Sequence, residues 1–162
     1  MISPLLKLPV ELRVKIYEYT FTDSSVHISL YEPSGTPPRP PPKSAALLYV
    51  SRQIKYEAFS VFISTCTFDI TSCWFWDRLV KIVGAHNLKL MTSLLAMPGC
   101  LLSLIEHIDK SDWELLQSLR HVSVLVDPQY EKSSQILLRG IRCHFSREMP
   151  CVTIQEVESS AN

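Results

Sequence analysis

The sequence predicts a mixed α/β fold, in which an N-terminal pair of helices is followed by βα units that form a small parallel sheet. The 162-residue chain is 46% hydrophobic and 20% charged, an ordinary composition for a globular protein. Two segments near the N-terminus have apolar residues at helical spacing. Further along, strand-like segments recur at nearly constant intervals with a helical segment between each pair, which is typical of parallel βα crossovers.

The first helix is predicted at residues 9–20, within LPVELRVKIYEY. Proline suits the first helical position, because the N–H that it lacks would be unpaired there anyway. Glu11 follows in the first turn, where the helix dipole favours a negative charge. Leu12, Ile16 and Tyr19 fall at helical spacing and form the predicted apolar stripe.

The next segments predict a strand, a connector and a second helix. Alternating apolar residues indicate a half-buried strand at 26–32. Six of the eleven residues at 33–43 are proline, so this proline-rich insert is expected to be an extended connector. The strongest helix is predicted at 44–64, with Ser44 as its N-cap. Its apolar face comprises Leu47, Val50, Ile54, Ala58 and Val61.

Beyond residue 65 the pattern alternates between strands and helices. Helices are predicted at 74–84, 101–120 (in two pieces) and 131–141, and a helix running into a strand is predicted at 86–97. Gly84 is expected to end the first of these helices. The strand centres Phe68, Leu95, Val124 and Ile154 are 27, 29 and 30 residues apart. This interval also suits a leucine-rich-repeat-like solenoid. We therefore divide the chain into a helical region (1–65), a βα-repeat region packed on it (66–157) and a frayed tail (158–162).

The charge balance, the length of the apolar runs and the cysteine spacing argue against several classes of protein. Sixteen basic residues balance sixteen acidic ones, and no basic stripe indicates nucleic-acid binding. No apolar run is long enough to span a membrane. Five cysteines without a CxxC pair favour reduced thiols and a cytoplasmic or nuclear location.

Catalytic and metal-binding patterns are also missing from the sequence. There is no phosphate-binding glycine loop and no nucleophile elbow. Cys143, His144 and Cys151 lie close together, but they lack the paired spacing of structural zinc sites. We therefore expect no cofactor, no metal and no enzymatic activity.

Two segments carry a family resemblance. LLKLPVELRVKIYEYTF and LLYVSRQIKYEAFSVFISTCTFDI resemble the fungal F-box-like proteins of the two-EXR family, whose motifs are LPxELRxxIY and LLxVSRQIxxEAxxxF. A third segment, WFWDRLVKIVGAHNLKLMTSL, matches more loosely, at Gly84, Asn87, Ser93 and Leu94. The resemblance covers about residues 5–97.

The same two helices are similar to an ordinary F-box, which docks on the adaptor subunit of an SCF-type ubiquitin ligase. The resemblance implies a non-catalytic substrate receptor whose protein partners are that adaptor and a substrate. A standard F-box joins its helices by a short turn, whereas residues 21–43 intervene here. The partner-docking residues carried over are Leu8, Pro9, Glu11, Leu12, Ile16, Tyr17, Leu48, Val50 and Arg52.

Two questions stay open on sequence alone. Glu11 and Arg52 recur in the motifs as an acidic and a basic residue. We expect them to meet as an ion pair or to cap a backbone group of each other's helix; the alternative is two unrelated solvated charges. The apolar residues at 8–16 either form an exposed docking patch or pack on the helix at 45–62. In the second case the protein is a structural or regulatory domain whose F-box-like helices are core elements that bind no adaptor.

Overall fold

A computed structural model describes residues 4–28, 42–71, 76–109, 112–127 and 131–158. At its centre is a five-stranded sheet in which every neighbouring pair is parallel and the spatial order follows the chain, β1-β2-β3-β4-β5. This confirms the predicted mixed α/β fold with a small parallel sheet. The strands are β1 (Ser25–His27), β2 (Thr67–Asp69), β3 (Ser93–Ala96), β4 (His121–Val126) and β5 (Thr153–Glu158).

At least one helical segment lies between each pair of consecutive strands. The helices are α1 (Val10–Phe21), α2 (Arg52–Thr65), α3 (Trp76–Val83), α4 (Ala85–Leu88), α5 (Pro98–His107) and α6 (Glu131–Glu148). Short 3-10 helices lie at Pro4–Lys7, Lys43–Tyr49 and Asp112–Leu116. No helix in these described ranges is both long and apolar enough to cross a membrane.

The two faces of the sheet differ in chemistry. On β4, the alternate residues Val122, Val124 and Val126 are buried. His121, on the other face of the strand, is exposed. Parallel strands joined in sequence by right-handed crossovers carry their helices on one face. The buried face accordingly lies in the core. The opposite face carries one residue of each strand in register: Ser25, Thr67, Ser93, His121 and Thr153.

A single hydrophobic core joins the two regions that the sequence suggested. It runs from Tyr17 and Phe21 on α1, through Phe62 on α2 and Phe68 on β2, to Phe145 on α6. Strand β1 lies within residues 1–65 but pairs directly with β2. The N-terminal helices are therefore continuous with the βα units through both the core and the sheet.

The predicted helix at 44–64 is wrong in one respect, because it is divided. A 3-10 helix ends at Tyr49, and α2 begins at Arg52. Ser51 has extended backbone between them, and its Oγ accepts a hydrogen bond from the Ile54 N–H at 3.1 Å. Ser51 is thus the N-cap of α2. The predicted cap, Ser44, instead bonds Ser24 between side-chain hydroxyls at 2.8 Å.

Other boundaries shift by smaller amounts. Gly84 ends α3 as predicted and adopts φ 85°, a left-handed value. Pro98 lies in the first turn of α5, a position that proline favours. Helix α6 extends to Glu148, beyond the predicted end at 141. The predicted strand residues 29–32, most of the proline-rich insert and tail residues 159–162 lie outside the described residues.

Candidate protein-docking surface

Helix α1 is held in the core by one of its faces. Arg13, Tyr17 and Phe21 recur every four residues and are its buried side chains. Phe21 packs edge-on against Phe62 of α2, with ring centroids 5.1 Å apart. Residues four apart lie on one side of an α-helix, so this face determines how α1 is rotated against α2. We call it the α1 inner face.

An ion pair joins the α1 inner face to α2. Arg13 donates from Nε to Glu57 Oε2 at 2.8 Å and from Nη2 to Oε1 at 2.9 Å. Tyr17 donates its hydroxyl proton to Glu57 Oε2 at 3.2 Å, and Gln53 donates to Oε1 at 2.9 Å. The Arg13 and Glu57 side chains are only 11% and 18% exposed. A bidentate arginine–carboxylate pair fixes orientation as well as distance.

The pKa values of this cluster shift as the geometry requires. The hydrogen bonds from Arg13, and then from Gln53, lower the pKa of the Glu57 carboxyl. The same contact with Glu57 raises the pKa of Arg13. Burial, followed by the bond to Glu57, raises the pKa of Tyr17. At neutral pH the cluster is therefore an arginine cation, a carboxylate anion and a neutral phenol.

The predicted ion pair between Glu11 and Arg52 is wrong. The two side chains are exposed, and the ion pair that joins α1 to α2 in the described part of the chain is Arg13–Glu57. Glu11 lies on α1 more than a quarter turn from Arg13 at about 100° per residue, so it points away from α2. The prediction placed the acidic residue on the first helix and the basic residue on the second, whereas in the structure Arg13 lies on α1 and Glu57 on α2.

The opposite side of α1 is apolar and exposed. Leu8, Leu12, Ile16 and Tyr19 are 36%, 48%, 38% and 86% exposed. The spacing of Leu12, Ile16 and Tyr19 places them along one side of α1, and Leu8 lies just before the helix, which begins at Val10. We call these four residues the α1 outer face. Leu12, Ile16 and Tyr19 are the apolar stripe that the sequence predicted, and the structure answers the open question of whether that stripe is exposed or packed: it is exposed.

The remaining predicted docking residues divide between surface and core. Pro9 and Glu11 are exposed at the start of α1, and Val50 is 61% exposed before α2. Tyr17 and Leu48 are buried, with their side chains packed within the chain, and their assignment as docking residues stays a prediction. Sequence reasoning missed Tyr49, which is 77% exposed beside Val50; no pattern in the sequence distinguished it.

A second, partly buried polar pair lies on the sheet face that carries Ser25 and Thr67. His27 and Asp69 are opposite each other on β1 and β2, with Nδ1 and Oδ2 2.8 Å apart. Thr71 donates to Asp69 Oδ1 from its backbone N–H at 3.0 Å and its hydroxyl at 2.7 Å. Burial alone would raise the pKa of Asp69, but the bonds from Thr71 and His27 outweigh it and lower that pKa. Both carboxylate oxygens are thus engaged in holding the sheet edge.

The cysteines and histidines do not converge on one point. In the described ranges, no group of three or more histidine, cysteine or acidic side chains is placed to hold a metal ion. Cys143 and Cys151 are exposed, and His144 packs on Trp113 with ring centroids 5.2 Å apart. Burial raises the pKa of Cys66 to about 12, so this thiol stays protonated and unreactive near neutral pH.

Comparison of the chain with known proteins identified no relative. No protein-family model matches the chain, no curated protein matches it, and no solved structure matches it. The surface described above is therefore the basis for a functional assignment, together with the motifs of the two N-terminal helices.

Proposed function

We propose that this protein is a non-catalytic interaction module that docks a protein partner through the α1 outer face. One observation carries the proposal: Leu12, Ile16 and Tyr19 form a line of exposed apolar side chains on α1, with Leu8 exposed just before it. Clustered apolar side chains on a surface mark sites of protein contact. Anchors at intervals of three and four residues are also how an amphipathic helix inserts into an apolar groove.

The partner to test first is the adaptor subunit of an SCF-type ubiquitin ligase. Helices α1 and α2 carry the motifs that resemble an F-box, and α1 presents Leu12 and Ile16 outward. The parallel sheet, with strands in chain order and one open face, suits a leucine-rich-repeat-like substrate region. In this proposal the helical pair binds the ligase and the protein acts as a substrate receptor.

One observation favours the second candidate, a structural or regulatory domain that binds no adaptor. Tyr17, Leu48 and Ile54, which lie within the two motifs, are buried. Motif residues that fill the core need no partner to explain them. The two candidates differ in what they require of the α1 outer face, because only docking needs its side chains to be apolar.

Co-purification with a recombinant adaptor subunit tests the proposal. We expect the wild-type chain to form a stoichiometric complex and Leu12→Asp to lose it while remaining folded. Ile136→Asp is the matched control, since Ile136 is 73% exposed on α6, away from the surface in question. That variant should bind as the wild type does.

The outcomes separate the candidates. Loss of the complex in both variants would point to a general effect of an added charge. Absence of any complex with the wild-type chain would favour the structural domain, with the F-box likeness confined to its core. Circular dichroism of each variant establishes that a lost complex reflects a lost contact and not an unfolded chain.

A further inference from the structure

A cleft of about 580 Å³ lies between α2 and α4, on a different side of α2 from α1. Its walls carry Arg52 and Lys55 from α2 and His86 from α4. At about 100° per residue, Lys55 lies about 160° around α2 from Glu57, the residue that binds α1. We call this site the α2–α4 cleft. Its volume is within the range of specific ligand sites.

Among the described residues, the basic side chains of the α2–α4 cleft have no acidic partner. None of its lining residues is acidic. Within the described part of the chain, no ion pair or side-chain hydrogen bond engages Arg52, Lys55 or His86. Two arginines of α6 are, by contrast, paired: Arg142 with Glu156 at 2.6 Å and Arg147 with Glu148 at 2.8 Å. In a chain with no net charge, two adjacent free cations and an imidazole form a local site for an anion.

The same cleft has an apolar component. Tyr56 and Phe59 of α2 and Leu90, which follows α4, line it together with the basic groups. Tyr56 is 88% exposed, so its ring is available for contact. Aromatic side chains offer large contact area at a low cost in conformational entropy. The site therefore combines donors for an oxyanion with a surface for an apolar group beside it.

We propose that the α2–α4 cleft binds an acidic segment of a protein partner, in which a carboxylate or phosphate lies next to an apolar residue. Arg52 and Lys55 would bind the oxyanion, and Tyr56 and Phe59 would pack on the neighbouring side chain. Nucleic acid fits less well, because two cations neutralise few phosphates whereas DNA-binding surfaces contact about six to ten. This proposal does not depend on the α1 outer face.

The test is an NMR titration of the full chain with three capped tetrapeptides, Ac-Ala-X-Phe-Ala-NH2. X is phosphoserine, glutamate or serine, so that phosphate and carboxylate are distinguished against a neutral peptide. We expect saturable shifts at the amides of Arg52, Lys55 and His86 for the charged peptides. These should bind about tenfold more tightly than the serine peptide, since a charge-assisted hydrogen bond is worth about that factor.

Variants and competitors make the result decisive. Arg52→Gln/Lys55→Gln should reduce binding of the charged peptides about tenfold or more. Lys43→Gln/Arg139→Gln is the matched control, since it removes the same charge from exposed positions elsewhere, and it should have no effect. Equal losses in both double variants, or shifts spread over all basic residues, would overturn the proposal.

Three further results would also overturn it. They are the absence of cleft shifts at millimolar peptide, binding of inorganic phosphate as tight as that of the phosphoserine peptide, and tighter binding of a single-stranded oligonucleotide. The second would make the cleft a small-anion site and the third a nucleic-acid site. Because the readout is local to α2 and α4, none of these results depends on whether the α1 outer face binds an adaptor.

Discussion

Leu12→Asp and Ile54→Ala should differ sharply in their effect on the free energy of unfolding of the free protein. Leu12 is 48% exposed on the α1 outer face, whereas Ile54 is fully buried on α2. If the outer face is a docking surface, the free protein does not need its side chains. If it is core, the two substitutions should cost similar amounts.

The magnitudes follow from burial and helix position. Burying a leucine completely is worth about 1.5–3 kcal/mol, so a half-exposed leucine contributes about 1 kcal/mol. Aspartate lowers helix propensity by about 0.7 kcal/mol. Leu12 is the third residue of α1, where a negative charge gains about 0.3–1 kcal/mol from the helix dipole. The net loss for Leu12→Asp is thus about 1 kcal/mol, whereas Ile54→Ala should lose about 2–5 kcal/mol.

Urea unfolding followed by far-ultraviolet circular dichroism measures both losses. In thermal melts, Leu12→Asp should lower Tm by about 2–4 °C, and Ile54→Ala by several times as much. Leu12→Ala, which adds no charge, serves as the companion control and should stay within about 1 kcal/mol. A loss for Leu12→Asp as large as that for Ile54→Ala would refute the reasoning, since it would show that the outer face is packed in solution.

Three other substitutions test local features of the fold. Ser51→Ala should cost about 1 kcal/mol through loss of the α2 N-cap, whereas Ser60→Ala, exposed on the same helix, should cost nothing measurable in urea unfolding. Glu57→Gln should make the free energy of unfolding depend less on pH in the acidic range. Because the pKa of Glu57 is lowered in the folded protein, its carboxylate stabilises the fold fully above the unfolded pKa of about 4.3, and this stabilisation is lost as the pH falls through the lowered folded pKa. Equal pH slopes for Glu57→Gln and wild type would contradict that origin. Gly84→Ala should cost about 1–3 kcal/mol because φ is 85° there, although a Cβ would have room, with Asn87 Nδ2 at 3.6 Å. Gly140→Ala, in open space within α6, should instead gain about 0.5–1 kcal/mol in the same assay.

The parallel sheet could be predicted from sequence because its units repeat. Phe68, Val124 and Ile154 were identified as strand centres from spacing alone, and each lies within a strand of the structure. The division of the second helix could not be predicted in this way. Apolar residues continue at helical spacing through Val50, so the pattern conceals the extended residue Ser51. Its capping hydrogen bond with the Ile54 N–H depends on extended backbone at Ser51, which the spacing of apolar residues does not reveal.

The rotation of α1 was also beyond local sequence patterns. Leu12, Ile16 and Tyr19 form the apolar stripe of the helix, and sequence alone left open whether this stripe packs on the second helix or is exposed. In the structure the buried side carries Arg13, and its partner Glu57 lies 44 residues away. A pattern within one helix contains no information about an ion pair with another. The same limitation explains why Glu11 and Arg52 were expected to pair.

The exposure of the α1 outer face follows from that ion pair. Leaving one member of a largely buried pair without its partner is strongly unfavourable, and Arg13 has both nitrogens of its fork engaged by Glu57. Turning α1 to bury Leu12 and Ile16 would withdraw Arg13 from Glu57 and Tyr17 from the same carboxylate. The chain therefore keeps apolar residues at the surface of α1 while a charged residue lies beneath it. Tyr17 and Phe21 already supply the apolar contacts of α1 with the core, so the core does not need Leu12 and Ile16, and their exposed apolar side chains are the physical reason to test the outer face as a docking surface.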